Sequence, residues 1–105
     1  MKAFKTLSAD AAVTLMEQGA AVVDIRDFGS YTAKHIQDAY HLSNDNLPVF
    51  LQQADRQQPL IVCCYHGISS QSAADFLAGQ GFAEVYSLDG GFEQWRMQFP
   101  ERCEP

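Results

Sequence analysis

The stretch Leu60-Ile61-Val62-Cys63-Cys64-Tyr65-His66-Gly67-Ile68-Ser69-Ser70-Gln71-Ser72-Ala73-Ala74 decides how this chain folds and where its chemistry lies. Leu60, Ile61 and Val62 form an apolar, largely β-branched run behind Pro59, the mark of a buried strand. Cys64 ends that strand, and Gly67 lets the following loop curl tightly. Ser69 or Ser70 suits the N-cap of a helix. In that helix Ala73 and Leu77, then Ala74 and Ala78, recur at helical spacing, and Gly79 and Gly81 mark the stop. This order lets loop amides converge on a sulfur beside a helix N-terminus, which favours its anion. A lone cysteine at a strand end is more often a buried structural residue. The polar loop and the helix directly behind it turn the reading towards a thiolate site.

The elements on either side alternate. Ser8 caps a helix with Ala9, Ala12, Val13 and Met16 on one face, stopped by Gly19. Ala21 to Ile25 reads as a strand, Ser30 to His35 as a short helical turn, and Ala39 to Leu42 as a weaker strand. Asn44 or Asp45 opens a helix with Pro48 in its first turn and Leu47, Phe50, Leu51 and Ala54 inward. Glu84 to Leu88 is a further strand. Asp89-Gly90-Gly91 makes a turn, and Phe92, Trp95 and Phe99 mark a closing helix before Pro100. Strands separated by helices predict an α/β fold with a mostly parallel sheet, in which functional loops lie at the carboxyl ends of strands. Cys64 lies at one.

Composition narrows the function. A chain of 105 residues, 47% of them hydrophobic, is expected to make one domain with a real core. No apolar run approaches the ~20 residues of a membrane span. Lys2 and Lys5 are followed by Asp10 and Glu17, so no signal-peptide core is expected. Three cysteines, two of them adjacent, do not form a disulfide framework, and a cytoplasmic, reducing setting is expected. The formal net charge of −6 argues against nucleic-acid binding, so an anionic substrate must be attracted locally.

Other chemistries fit poorly. There is no dinucleotide or Walker loop, no CxxC around Cys64, and no zinc spacing among the cysteines and histidines. No metal and no cofactor are expected. For a Cys–His protease, His35 and His41 are candidates by residue type only. A cysteine phosphatase carries an Arg at its phosphate clamp; the corresponding place here, at the end of the loop, is held by Ser70.

Four segments together resemble the rhodanese family of thiosulfate sulfurtransferases. Val22-Val23-Asp24-Ile25-Arg26-Asp27 resembles its early strand motif, and Tyr31 to Ala39 its first signature. Cys64-Tyr65-His66-Gly67-Ile68-Ser69 resembles its six-residue active loop, and Leu88-Asp89-Gly90-Gly91-Phe92-Glu93-Gln94-Trp95 its closing motif. The wording is most similar to small bacterial members encoded with glycerol-phosphate metabolism genes. The likeness runs from about Thr6 to Phe99. It implies a single rhodanese domain over 1–105, with a sheet of about five strands flanked by helices on both faces. Lys34, Gln37 and Asp38 depart from the family's first signature, replacing its two glycines and proline. Tyr65 and His66 stand where many members have basic residues.

The resemblance also implies a reaction. The Cys64 thiolate takes the outer sulfur of thiosulfate, or of another small donor, as a persulfide. Cyanide or a thiol, including a protein thiol, then accepts it in a second, ping-pong step. Tyr65, His66, Gly67, Ile68, Ser69 and Ser70 would bind substrate, with His66 either a contact or a solvent-facing rim residue. Asp24 and Arg26 read as structural support, Gly90 and Gly91 as a turn, and Trp95 as core. Cys63 is expected to point away from Cys64, buried and inert, and Cys103 to lie in an incidental tail. Two other readings remain open: a non-catalytic binding module, a kind that generally lacks the loop cysteine, and a persulfide carrier to a protein.

Overall fold

The computed structural model describes residues 3–105, so Lys2 lies outside it. Leu60–Cys63 (β5) is the centre of the molecule, with all four residues buried. It is flanked by Ala21–Asp24 (β2) and Val85–Leu88 (β6). Lys5–Leu7 (β1) and Tyr40–His41 (β4) form the edges. The order is β1-β6-β5-β2-β4 and every pairing is parallel. Helices cover both faces, which is why the central strand is apolar along its whole length rather than in alternation.

Strand alternation sorts the core into two layers. Val22, Ile61, Cys63 and Leu88 pack with Ala9 and Ala12 of Ala9–Glu17 (α1) and with Phe92 and Trp95 of Gly91–Gln98 (α5). Val23, Leu60, Val62 and Val85 pack with Ala74 and Leu77 of Ser69–Gly79 (α4) and with Phe50 and Leu51 of Leu47–Gln53 (α3). Trp95 is fully buried. Ser8 caps α1, its side chain accepting from the Ala11 amide.

Several local expectations change. No strand is legible before Ser8, yet β1 supplies the fifth strand of the sheet, in register with Tyr86 to Leu88. Lys5 and Thr6 are exposed and only Leu7 is partly buried, so this edge carries no apolar signature. The helical turn expected over Ser30 to His35 lies earlier, at Phe28–Ala33 (α2), capped by the Asp27 side chain. His35–Ile36 (β3) is instead a strand, paired antiparallel with Cys103–Glu104 (β7). The tail, Cys103 included, is thereby stitched to the body. At the turn after β3, Asp38 adopts φ 67, the left-handed conformation in which a short polar side chain is tolerated. It stands there in place of a family glycine.

Two helix starts also differ. Asn46, not Asn44 or Asp45, precedes α3. Its side chain clamps the incoming loop, accepting from the Ser43 amide and donating to the His41 carbonyl. Neither Ser69 nor Ser70 is the N-cap of α4; Ile68 holds that position without a side-chain cap. The reason lies in the sulfur described next.

Candidate active site

Cys64 follows β5 directly and is 2% exposed. Its Sγ accepts from the amides of Gly67 at 3.1 Å and Ser70 at 3.3 Å, and lies 3.1 Å from Ser70 Oγ. The first turn of an α-helix has amides with no intrahelical acceptor. Here one of them is turned onto the thiol, so the sulfur does the work of a capping side chain. Burial raises the Cys64 thiol, but hydrogen bonds from the Ser70 hydroxyl and amide, the Ser69 hydroxyl and the Gly67 amide outweigh it. The thiol lies below its ordinary value.

The loop is held open from behind by α5. The Phe92 amide donates to the Cys64 carbonyl at 2.8 Å, and the Glu93 amide to the Tyr65 carbonyl at 3.1 Å. With these carbonyls drawn to one side, neighbouring amides are free to face the sulfur. The contact is too close for any side chain at Gly91, which has φ +58. A Cβ there would lie 2.6 Å from the Cys64 oxygen, the His66 nitrogen and the Tyr65 carbonyl carbon. Gly67, with φ +84, meets the same turn, and a Cβ on it would lie 2.8 Å from the Gly90 nitrogen. Gly90 and Gly91 thus seat the loop as well as making the turn. Spacing alone leaves that unmarked, because Gly91 and Cys64 meet only in three dimensions.

The remaining loop residues divide. Gly67 and Ser70 are buried; Tyr65, His66, Ile68 and Ser69 are exposed, Ile68 at 75%. The Tyr65 hydroxyl donates to the Asp27 carboxylate, tying the loop to the α2 cap. Gln71 is not a free side chain at the mouth, since it donates to the Gly67 carbonyl at 2.9 Å. Among the described residues no protein acceptor meets the amides of Tyr65, His66, Ile68 and Ser69. Ser70 makes one further contact, Oγ to Oγ at 2.7 Å, with the buried Ser87 of β6. In the sequence the only hint of Ser87 is a small polar residue inside an apolar strand.

Asp24 and Arg26 lie outside the sulfur's hydrogen bonds, although the Arg26 guanidinium carbon is 5.9 Å from the ring centroid of the loop residue Tyr65. The two form a buried pair at 2.8 Å, with Arg26 Nη2 donating also to the Lys34 carbonyl. The guanidinium carbon lies 4.2 Å from the Phe92 ring centroid. Arg26, held by Asp24, therefore packs on the side chain of the residue whose amide holds the loop. The ring nitrogens of His35 and His41 are engaged elsewhere: His35 Nδ1 meets the Tyr31 carbonyl and His41 Nε2 the Arg26 carbonyl. Among the described residues no group of three or more His, Cys, Asp or Glu could hold a metal. A groove of about 920 Å3, lined in part by Asp27, Phe28, His41, Leu47, Ala73 and Phe76, runs beside the loop without containing Cys64.

A thiolate in such a cradle can attack an electrophilic sulfur and then leave again from the product. The comparisons with known proteins point the same way. The chain is 58% identical over 100 residues to the thiosulfate sulfurtransferase GlpE of Ectopseudomonas mendocina (strain ymp), covering 95% of this chain and 92% of that one. It is 50% identical over 101 residues to the GlpE of Pseudomonas syringae pv. syringae (strain B728a), covering 96% and 95%. Among solved structures, it superposes on a rhodanese-related protein from Thermoplasma volcanium with a TM-score of 0.77 at 21% identity, covering 90% and 93%. It also superposes on part of reduced Bacillus anthracis CoADR-RHD, with a TM-score of 0.84 at 22% identity, covering 98% of this chain and 18% of that one. The rhodanese-like domain family matches residues 8–98, and the chain belongs to that family.

Proposed function

We propose that this protein is a thiosulfate sulfurtransferase whose nucleophile is Cys64. The observation that carries the reading is the convergence of the Gly67 and Ser70 amides on a sulfur with a lowered pKa. In the first step the thiolate attacks the sulfane sulfur of thiosulfate. The S–S bond to the sulfonate breaks and sulfite leaves with the bonding pair, so a Cys64 persulfide anion remains. In the second step cyanide or a thiolate takes the outer sulfur, and Cys64 departs as thiolate.

The amides of Tyr65, His66, Ile68 and Ser69 offer donors to the sulfonate oxygens and to the persulfide. The loop carries no Lys or Arg, so binding relies on these dipoles against a net charge of −6. Gly67 lets the loop close, and Ser69 and Ser70 donate to the sulfur. Tyr65 and His66 form the rim of the mouth, and Asp24 and Arg26 support it from below. Cys64 must stay reduced, and all three cysteines are free, which suits a cytoplasmic setting. The acceptor class is a small nucleophile or a thiol.

The test is the intact mass after exposure to thiosulfate. The expected result is a gain of one sulfur on wild type, lost on adding cyanide with release of thiocyanate, and no gain on Cys64→Ser. Wild type that takes up no sulfur overturns the reading.

A further inference from the structure

Ser87 lies on β6, 1% exposed, far along the chain from the loop. Alternation turns it, with Val85, to the face covered by α4. There its Oγ lies 2.7 Å from Ser70 Oγ, which lies 3.1 Å from Cys64 Sγ. The three atoms form a chain, and its polarity follows from counting protons. Each hydroxyl has one to give. Among the described residues, Ser70 is the only side-chain partner of Ser87. If Ser70 donated to Ser87, the Ser87 proton would be buried without an acceptor, which is costly. If Ser87 donates to Ser70, its proton is satisfied, and the Ser70 proton is left for the sulfur.

We propose that Ser87 is a positioning residue for the reaction: it holds Ser70 as the donor to Cys64 Sγ and polarises that bond. A hydroxyl that itself accepts a hydrogen bond donates more strongly, so the far serine reaches the sulfur without touching it. The donor favours the ionised sulfur, which is the attacking group in the first step and the leaving group in the second. The catalytic consequence rests on the sulfur-transfer reading; the consequence for the thiol does not.

The two steps respond differently to loss of the donor. A more basic thiolate attacks somewhat better once ionised and leaves more slowly. Ser87→Ala should therefore slow release of the persulfide sulfur to cyanide by about threefold, the worth of part of one hydrogen bond. Loading from thiosulfate at a pH above the thiol's titration should be unchanged or faster. General loosening of the fold would slow both.

The experiment measures iodoacetamide alkylation of Cys64 from pH 5 to 9 (an assay range, roughly the span over which a perturbed thiol titrates) in wild type, Ser87→Ala, Ser70→Ala and the double variant. Single-turnover loading and unloading are followed in the same proteins. Asp24 and Arg26 after β2, Tyr65 and His66 in the loop, and Asp89 and Glu93 at the β6–α5 turn share this end of the sheet. They are the same in all four proteins and set a common background. Ser87→Ala is expected to move the alkylation profile to higher pH, with Ser70→Ala moving it further and the double variant matching Ser70→Ala. A Ser87→Ala profile that overlays wild type, or effects that simply multiply in the double variant, overturns the proposal. Ser87→Cys keeps the side chain's size, replaces the hydroxyl by a far weaker donor and stands in for Ser87→Ala should that variant fail to fold, with alkylation of Cys64 followed by peptide mass. If wild type takes no sulfur from thiosulfate, the functional reading falls, while the alkylation profiles still decide the role of Ser87.

Discussion

Cys63 and Cys64 are neighbours in the chain, equally hidden, and opposite in chemistry. Cys63 is 0% exposed and Cys64 2%. Burial raises the Cys63 thiol well above its ordinary value, reinforced by the nearby Asp24 carboxylate. Burial acts on Cys64 too, though less deeply than on Cys63, and is overcome by donors from Ser70, Ser69 and Gly67. Surface exposure alone therefore does not separate the raised thiol from the lowered one. One step along the backbone does: Cys63 is the last residue of the strand and faces the α1–α5 layer, while Cys64 enters the loop and meets amides.

The sharpest way to break the comparison is to exchange which thiol is lost. Cys64→Ser should lower kcat/KM for thiosulfate by about four orders of magnitude or more, as removal of a covalent nucleophile does. Cys63→Ala should keep most of the activity. Thiocyanate release measures both, and a dead but folded Cys63→Ala beside an active Cys64→Ser would reverse the assignment.

Next in size is the wall behind the loop. Gly91→Ala places a Cβ against three backbone atoms of the loop at a positive φ. It should destabilise the fold by about 2 kcal/mol or more, read by denaturant unfolding, and slow Cys64 alkylation even where the variant remains folded. Unchanged stability and reactivity would mean that the loop does not need this contact.

The two thiols should also separate by pH. A lowered thiol ionises earlier, so Cys64 should react with iodoacetamide well below pH ~8.5, the ordinary range of a free thiol, and Cys63 should stay unlabelled. In stability the signs oppose. The lowered Cys64 thiol contributes stability that is present above the unfolded thiol's pKa and lost as pH falls through the folded one. The raised Cys63 thiol acts the other way: above the unfolded pKa only the unfolded state ionises, so stability falls as pH rises. Cys63→Ala should therefore flatten the alkaline decline in unfolding free energy. An equally steep decline in that variant would show that Cys63 does not cause it.

The smallest effect concerns the brace from Gln71 to the Gly67 carbonyl. Gln71→Ala should lower kcat/KM about two- to tenfold, the worth of one hydrogen bond. Steady-state kinetics would show it, and no change would leave Gly67 held by its glycine geometry alone.

What was legible in the sequence follows the same division. The buried strand, the cysteine at its end, Gly67 and the helix behind them are local patterns, and they predict the central strand and α4. Edge β1 left no trace because Lys5 and Thr6 face solvent. The start of α4 differs from the sequence expectation because Ser70, suited to capping by type, turns its hydroxyl to Cys64 and Ser87 instead. Ser87 and Gly91 act across long chain separations, where spacing carries no signal. Asp24 and Arg26 were visible as a pair of types, but the Phe92 ring on which Arg26 packs was not.

The amides of Phe92 and Glu93 that hold the loop carbonyls come from the last long helix of the chain. The six residues after Cys64 are therefore not a cassette that can be moved. Grafted onto another strand and helix they would keep their sequence and lose their shape, because the wall they lean on is encoded more than twenty residues downstream. For anyone moving this thiol cradle to another protein, the smallest portable unit is the loop together with a helix that begins in two glycines.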